Sequence, residues 1–173
     1  MHSAGTRDDS NDNSKRNDKG DVKLSSALIV IDIQEKYMDK YDADLVARIN
    51  GRINEYANEG KSIIYVMNVG RPENADKYHL DKRLQIASDT IFEKKFPSAF
   101  SSYEFSEYIE EMKLSEIELV GVDGSSCVAK TAFDAAEKGY DVCINLEYVA
   151  SINEKIFEDV LLKLEKAGVR IIR

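Results

Sequence analysis

The chain is short of cysteine, short of histidine and short of long apolar runs, and each shortage closes off a class of protein. Two cysteines in 173 residues, with no CxxC and no paired Cys/His spacing, exclude a zinc ribbon and a disulfide-built scaffold. Two histidines, His2 and His79, are too few for a His-based triad together with a histidine metal cluster. No stretch approaches the ~20 consecutive apolar residues of a membrane span, so no integral membrane segment is expected. Basic charge is also scarce: 24 Lys and Arg face 32 Asp and Glu, a formal charge of −8. Residues 1–23 hold five acids and five bases, so the whole excess sits on residues 24–173. A body this acidic lacks the basic face with which a general nucleic-acid binder displaces counterions, and no nucleic-acid partner is expected.

The first 23 residues contain no Leu, Ile or Phe. Residues 1–25 therefore read as a disordered polar tail or tether, and they lack the apolar segment of a signal peptide. A vector-derived leader, a native flexible arm and a tether left by removal of an upstream signal all fit this composition. The expectation is a reduced, cytoplasmic domain over residues 26–173; an exported or lipid-tethered protein is the alternative.

From Ser26 onward the texture changes. Ala27-Leu28-Ile29-Val30-Ile31 is an unbroken, largely β-branched run, as in a strand buried on both faces. Leu45, Val46, Ile49, Ile53 and Ala57 recur at helical spacing over 43–58, and Gly60 stops that helix. Further strands are expected at 62–69, 90–92, 118–122, 140–146 and 169–172. Helices are expected around Phe105–Met112, over Cys127–Lys138 and over Glu154–Lys166. Residues 70–90 are polar and irregular, as in a long active-site loop with one helical turn near 80–86. Strands alternating with helices define a three-layer, doubly wound, mainly parallel Rossmann-like α/β sheet of about six strands.

In such a sheet, ligands bind beyond the carboxyl ends of the strands. Three places there carry chemistry. Asp32 ends the most apolar strand, where an ionised carboxylate needs a partner or a raised pKa; a helix cap or turn is the plain alternative. Gln34 and Tyr37 after it suit a pocket wall or a core. Cys127 closes the turn Gly121-Val122-Asp123-Gly124-Ser125-Ser126 and opens a helix, where free N–H groups favour a thiolate or an oxyanion. A buried structural thiol or a weak phosphate cradle are the other readings. Lys94, in Glu93-Lys94-Lys95-Phe96-Pro97-Ser98-Ala99-Phe100, is placed to neutralise a buried carboxylate, unless the run is a solvated charge patch. Cys143 lies within an apolar strand and reads as core. His79 reads as loop surface or pocket wall, while Tyr78 suits ring stacking and Arg71 suits a carboxylate.

Taken in order, these segments resemble the isochorismatase-like cysteine hydrolases, the superfamily of nicotinamidases and N-carbamoylsarcosine amidase. The resemblance runs from Ala27-Leu28-Ile29-Val30-Ile31-Asp32-Ile33-Gln34, through Lys94 and Ser98-Ala99-Phe100 with Lys95 as the alternative register. It continues through Gly121-Val122 and Cys127-Val128 to Thr131-Ala132, Asp134-Ala135 and Gly139-Tyr140-Asp141-Val142.

The resemblance implies catalytic roles for Asp32, Lys94 and Cys127, with an oxyanion hole from the backbone N–H groups of Asp123 and Cys127. It also implies a cis peptide at Val122–Asp123 and a homo-oligomer, dimer or tetramer. The implied activity is cleavage of an amide-type C–N bond of a small molecule through a Cys127 acyl-enzyme. A non-catalytic ligand-binding or regulatory relative is the alternative, and a peroxide-sensing thiol a third reading. The chain departs from nicotinamidases where they carry Asp-x-His and further histidines: here Val66-Met67-Asn68-Val69-Gly70 is followed by His79 alone. No metal and no other cofactor is therefore expected. Gly124 replaces a usual Thr, and Asp123 puts a carboxylate beside the expected oxyanion site, turned away or selecting a cationic substrate.

Overall fold

A computed structural model describes residues 25–70 and 78–173. Six strands form one sheet: β1 (Ser26–Ile31), β2 (Ser62–Asn68), β3 (Ile91–Lys94), β4 (Glu116–Gly121), β5 (Asp141–Val149) and β6 (Arg170–Ile172). Their spatial order is β3-β2-β1-β4-β5-β6, and every pairing is parallel. The order reverses between β1 and β4, so a crevice opens beyond the carboxyl ends of those two strands.

The continuous apolar run of β1 is explained by its central position, with helices on both sides. Ala27, Ile29 and Ile31 pack with α3 (Tyr103–Met112), α4 (Ala129–Glu137) and α5 (Glu154–Lys166). Leu28 and Val30 face α1 (Glu35–Met38), α2 (Leu45–Asn58) and Leu84 of the following connection. Alternate residues thus serve two cores, and neither face of the strand tolerates a polar group. Helix α2 buries Leu45, Val46, Ile49, Ile53 and Tyr56. At the start of α5 the Asn153 side chain accepts from Ile156 N–H at 3.0 Å.

Some boundaries differ from expectation. The short helix α1 was not expected, because four residues carry too little periodicity to register. The helix expected from Cys127 begins instead as a π-helical turn over Gly124–Val128, with α4 starting at Ala129. Strand β5 runs on to Val149, and its register against β4 shifts between Leu119 and Gly121. Ser25, grouped with the tail by composition, already accepts from Ser115 N–H at 2.9 Å. The rest of the expected tail, and Arg71, lie outside the described residues.

Candidate active site

Asp32 stands one residue past β1 with a positive φ of 55°, a conformation that Asp tolerates better than the β-branched residues before it. Its N–H still donates to Val66 O at 3.0 Å, so the strand ends there and the side chain turns into the crevice. Gln34, fully buried, clamps the end of β2: its amide donates to Asn68 O at 3.0 Å and accepts from Asn68 N–H at 2.8 Å.

Lys94 ends β3, two strands away from β1 in the sheet. That lateral gap is roughly 10 Å, which a lysine stem and an aspartate together span and shorter basic side chains do not. Its Nζ meets Asp32 Oδ2 at 2.9 Å, with the two side chains 0% and 3% exposed. Lys95, the alternative register, points to solvent. The following Ser98-Ala99-Phe100 segment is stitched to the turn carrying Cys127. Ala99 N–H donates to Thr131 Oγ1 at 3.0 Å, and that hydroxyl donates to Cys127 O at 2.8 Å.

The turn between β4 and α4 is built by close approach. A Cβ on Gly121, whose φ is +119°, would lie 2.1 Å from Ile31 O, so only glycine lets β4 pass β1 here. The Val122–Asp123 peptide is cis. A Cβ on Gly124 would sit 2.7 Å from the Phe157 ring, which explains the missing Thr: α5 fills that space.

The Asp123 side chain turns away from the thiol. Its Oδ1 accepts from Ser125 N–H (2.9 Å), Ser125 Oγ (2.7 Å) and Ser151 Oγ (2.8 Å); its Oδ2 accepts from Ile152 N–H (2.8 Å) and the Tyr41 hydroxyl (3.1 Å). Burial pushes this carboxyl up, but the hydrogen bonds from Ile152, Ser125 and Ser151 outweigh it and hold it below the ordinary value. The carboxylate therefore fastens the turn to two distant segments. Neither Tyr41 nor Ser151 carried a local signal of this contact, since both are remote from Asp123 in the chain.

The turn's backbone donors divide into two groups. Gly124 N–H goes to Ala150 O, Ser125 N–H to the Asp123 carboxylate, and Ser126 and Val128 N–H to Asp123 O. Among the described residues, no hydrogen-bond acceptor is found for the N–H group of Asp123, and the N–H of Cys127 lies in the π-helical turn itself.

The Cys127 thiol, half-buried, lies beside the ion pair, close enough for Asp32 and Lys94 to bear on its proton. Burial, then the negative charge of Asp32, push it up to about 11, with Lys94 opposing. Burial also raises Asp32, while Lys94 and the thiol pull it back. Asp32 Oδ1 is buried and has no hydrogen-bond donor among the described residues. The unpartnered carboxylate oxygen is placed to receive the thiol proton.

The end of β2 holds Asn68, whose Oδ1 accepts from Gly70 N–H at 2.9 Å, and His79 is exposed. Among the described residues no three His, Cys, Asp or Glu side chains converge.

Residues 26–173 match the isochorismatase domain family, and the chain belongs to that family. It is 32% identical over 76 residues to Nicotinamidase 3 of Arabidopsis thaliana, a match covering 44% of this chain and 38% of that protein. The chain thus spans well under half the length of this curated relative. By fold it is similar to the pyrazinamidase of Pyrococcus horikoshii solved in complex with zinc, with a TM-score of 0.76 at 18% identity, covering 86% and 99% of the two chains. It is equally similar to N-carbamoylsarcosine amidase from Thermoplasma acidophilum, with a TM-score of 0.76 at 19% identity over 87% and 96%.

Proposed function

We propose that the chain is a hydrolase, a metal-independent cysteine amidase acting on a small molecule. The observation that carries this reading is a thiol beside a buried Lys94–Asp32 pair whose second carboxylate oxygen is unpartnered. Asp32 takes the Cys127 proton as sulfur attacks the amide carbonyl, and Lys94 holds Asp32 while its charge stabilises the departing proton's thiolate. The negative carbonyl oxygen of the tetrahedral intermediate accepts from the backbone N–H groups of Asp123 and Cys127. When the C–N bond breaks, Asp32 returns its proton to the leaving amine, leaving a thioester on Cys127. Water then gives a proton to Asp32 and attacks the thioester carbonyl; the acid leaves and sulfur recovers its proton.

The same family resemblance supports a homo-oligomer, dimer or tetramer, checked by light scattering. The described residues contain no helix long and apolar enough to cross a membrane. Released ammonia or amine from a panel of small amides tests the reaction, with wild type set against Cys127→Ser. Turnover by wild type and at least about a 10³-fold loss in the variant is expected. Equal rates, or no amide consumed at all, would sink the assignment. Exhaustive chelation leaves the wild-type rate unchanged on this reading; loss of rate restored by added zinc would reverse the metal-independent part.

A further inference from the structure

We infer that Thr131 is a positioning residue for the reaction proposed above, its hydroxyl setting the gap between the Cys127 sulfur and the Lys94 ammonium. Thr131 is fully buried in the first turn of α4. Its Oγ1 accepts from Ala99 N–H at 3.0 Å and donates to Cys127 O at 2.8 Å. A hydroxyl bonded back to the carbonyl four residues earlier is ordinary in a helix. The second bond is not. With the hydrogen given to Cys127, the lone pairs are left for Ala99, and each bond orients the other.

The bond from Ala99 is a solitary tie. Among the described residues no other hydrogen bond joins residues 95–102 to residues 121–138. Ala99 itself packs in the core, but a cavity of about 590 Å³ opens between the same two segments. Phe96, Pro97 and Phe100 line it on one side, and Ser126, Ala129 and Phe133 on the other. Close packing therefore does not set the separation of the two segments along that seam.

Each end of the tie carries a reacting group. Lys94 closes β3, an edge strand of four residues with β2 alone beside it. From Lys94 the chain passes Pro97 into a 3₁₀ turn at Ala99–Ser101, capped by Ser98 Oγ, which accepts from Phe100 N–H at 3.2 Å. That short connection, stiffened by the proline and the cap, carries the position of Ala99 back to Lys94. At the other end, the Asp123 carboxylate ties the Cys127 turn to itself, to Tyr41, and to Ser151 and Ile152, none of which belongs to the segment of Lys94. The Lys94 charge opposes the upward push that burial and Asp32 exert on the thiol. The gap that Thr131 sets thus governs how readily sulfur ionises.

The chemistry rests on the hydrolase reading above, while the tie is tested with and without turnover. Thr131→Val keeps the shape and removes the hydroxyl, Thr131→Ala removes hydroxyl and methyl, and Thr131→Ser keeps the hydroxyl. With the amide consumed fastest in the panel above, kcat per folded enzyme falls at least about tenfold in Thr131→Val and Thr131→Ala, with KM within about twofold. Thr131→Ser stays within about threefold of wild type, a rescue that loss of packing would not give. Wild-type kcat in Thr131→Val, or an equal loss in Thr131→Ser, overturns the inference. Iodoacetamide labelling at one alkaline pH needs no substrate. Cys127 reacts at least about threefold more slowly in Thr131→Val than in wild type or Thr131→Ser, while Cys143 is unchanged. An equal or faster Cys127 rate, or a Cys143 rate that rises, marks a loosened fold and overturns the positioning role. Slowed labelling in Thr131→Val with no amide consumed by wild type upholds the tie and defeats the hydrolase.

Discussion

Two buried clusters of acid, base and cysteine lie in this sheet, and their difference is instructive. In one, Glu118 of β4, 2% exposed, meets Arg52 and Tyr56 of α2, with Cys143 of β5 nearby. In the other, Asp32 meets Lys94 beside Cys127. Both thiols are pushed up to about 11, by burial first and by the neighbouring acid second. Burial and a perturbed thiol therefore do not distinguish them. Saturation does. Glu118 Oε1 accepts from Arg52 Nε at 2.9 Å, and Oε2 accepts from Arg52 Nη2 at 2.6 Å and from the Tyr56 hydroxyl at 2.8 Å. Asp32 has one oxygen engaged and one idle. With donors on both oxygens, Glu118 is tied in place and ill-suited to take a proton in transit, whereas the idle oxygen of Asp32 costs stability that only chemistry or a ligand can use.

The sharpest way to break this comparison is to neutralise each acid. Asp32→Asn should lower kcat by about 10²- to 10⁴-fold, the range of a lost general base. Glu118→Gln should instead cost about 3 kcal/mol in denaturant unfolding, because Arg52 is left with only the exposed Glu55 as its mate, while the folded fraction keeps its rate. If folded Glu118→Gln lost rate as Asp32→Asn does, the contrast between the clusters would fail. The pH profile adds a sign. Asp32 must be ionised to take the proton and its pKa is raised, so kcat/KM should fall with acid at a pH above the ordinary 3.8.

Alkylation sharpens the same contrast. With both thiols near 11, selectivity has to come from access: Cys127 is half-buried and Cys143 only 3% exposed. Iodoacetamide should label Cys127 roughly tenfold faster or more, since Cys143 reacts only after local opening, and both rates should climb steadily with pH. Mass spectrometry of the two tryptic peptides reads this directly; equal labelling would mean that the site is no more open than the core.

The smallest effect concerns Asp123, whose saturation resembles that of Glu118 although it sits in the turn of Cys127. Asp123→Asn should cost about 1 kcal/mol, discounted for partial exposure. Its folded pKa is depressed, so the stabilisation is present above the unfolded value near 3.8 and fades as pH falls through the lower folded value. Unfolding curves of wild type and variant should therefore converge in acid; a constant gap would show that the carboxylate's charge is not what holds the turn.

The layered sheet was legible because long apolar runs and helical spacing are local. The run from Ala27 to Ile31 can be satisfied only between two helical layers, and the strands and helices of the second half followed by the same logic. Asp32, Lys94 and Cys127 were legible as candidates because each ends an apolar segment at the edge where ligands bind. The π-turn before α4 and the short α1 were not, since neither spans enough residues to show a period.

By itself, then, the order of residues determined which segments are buried on both faces and where strands must stop, because burial of apolar groups is written into local pattern. Tertiary structure alone decided that Lys94 rather than Lys95 reaches across two strands, that Asp123 turns into a web of five donors, and that one oxygen of Asp32 stays unclaimed. Those outcomes depend on distances of a few ångströms between groups tens of residues apart, and no spacing along a chain encodes them.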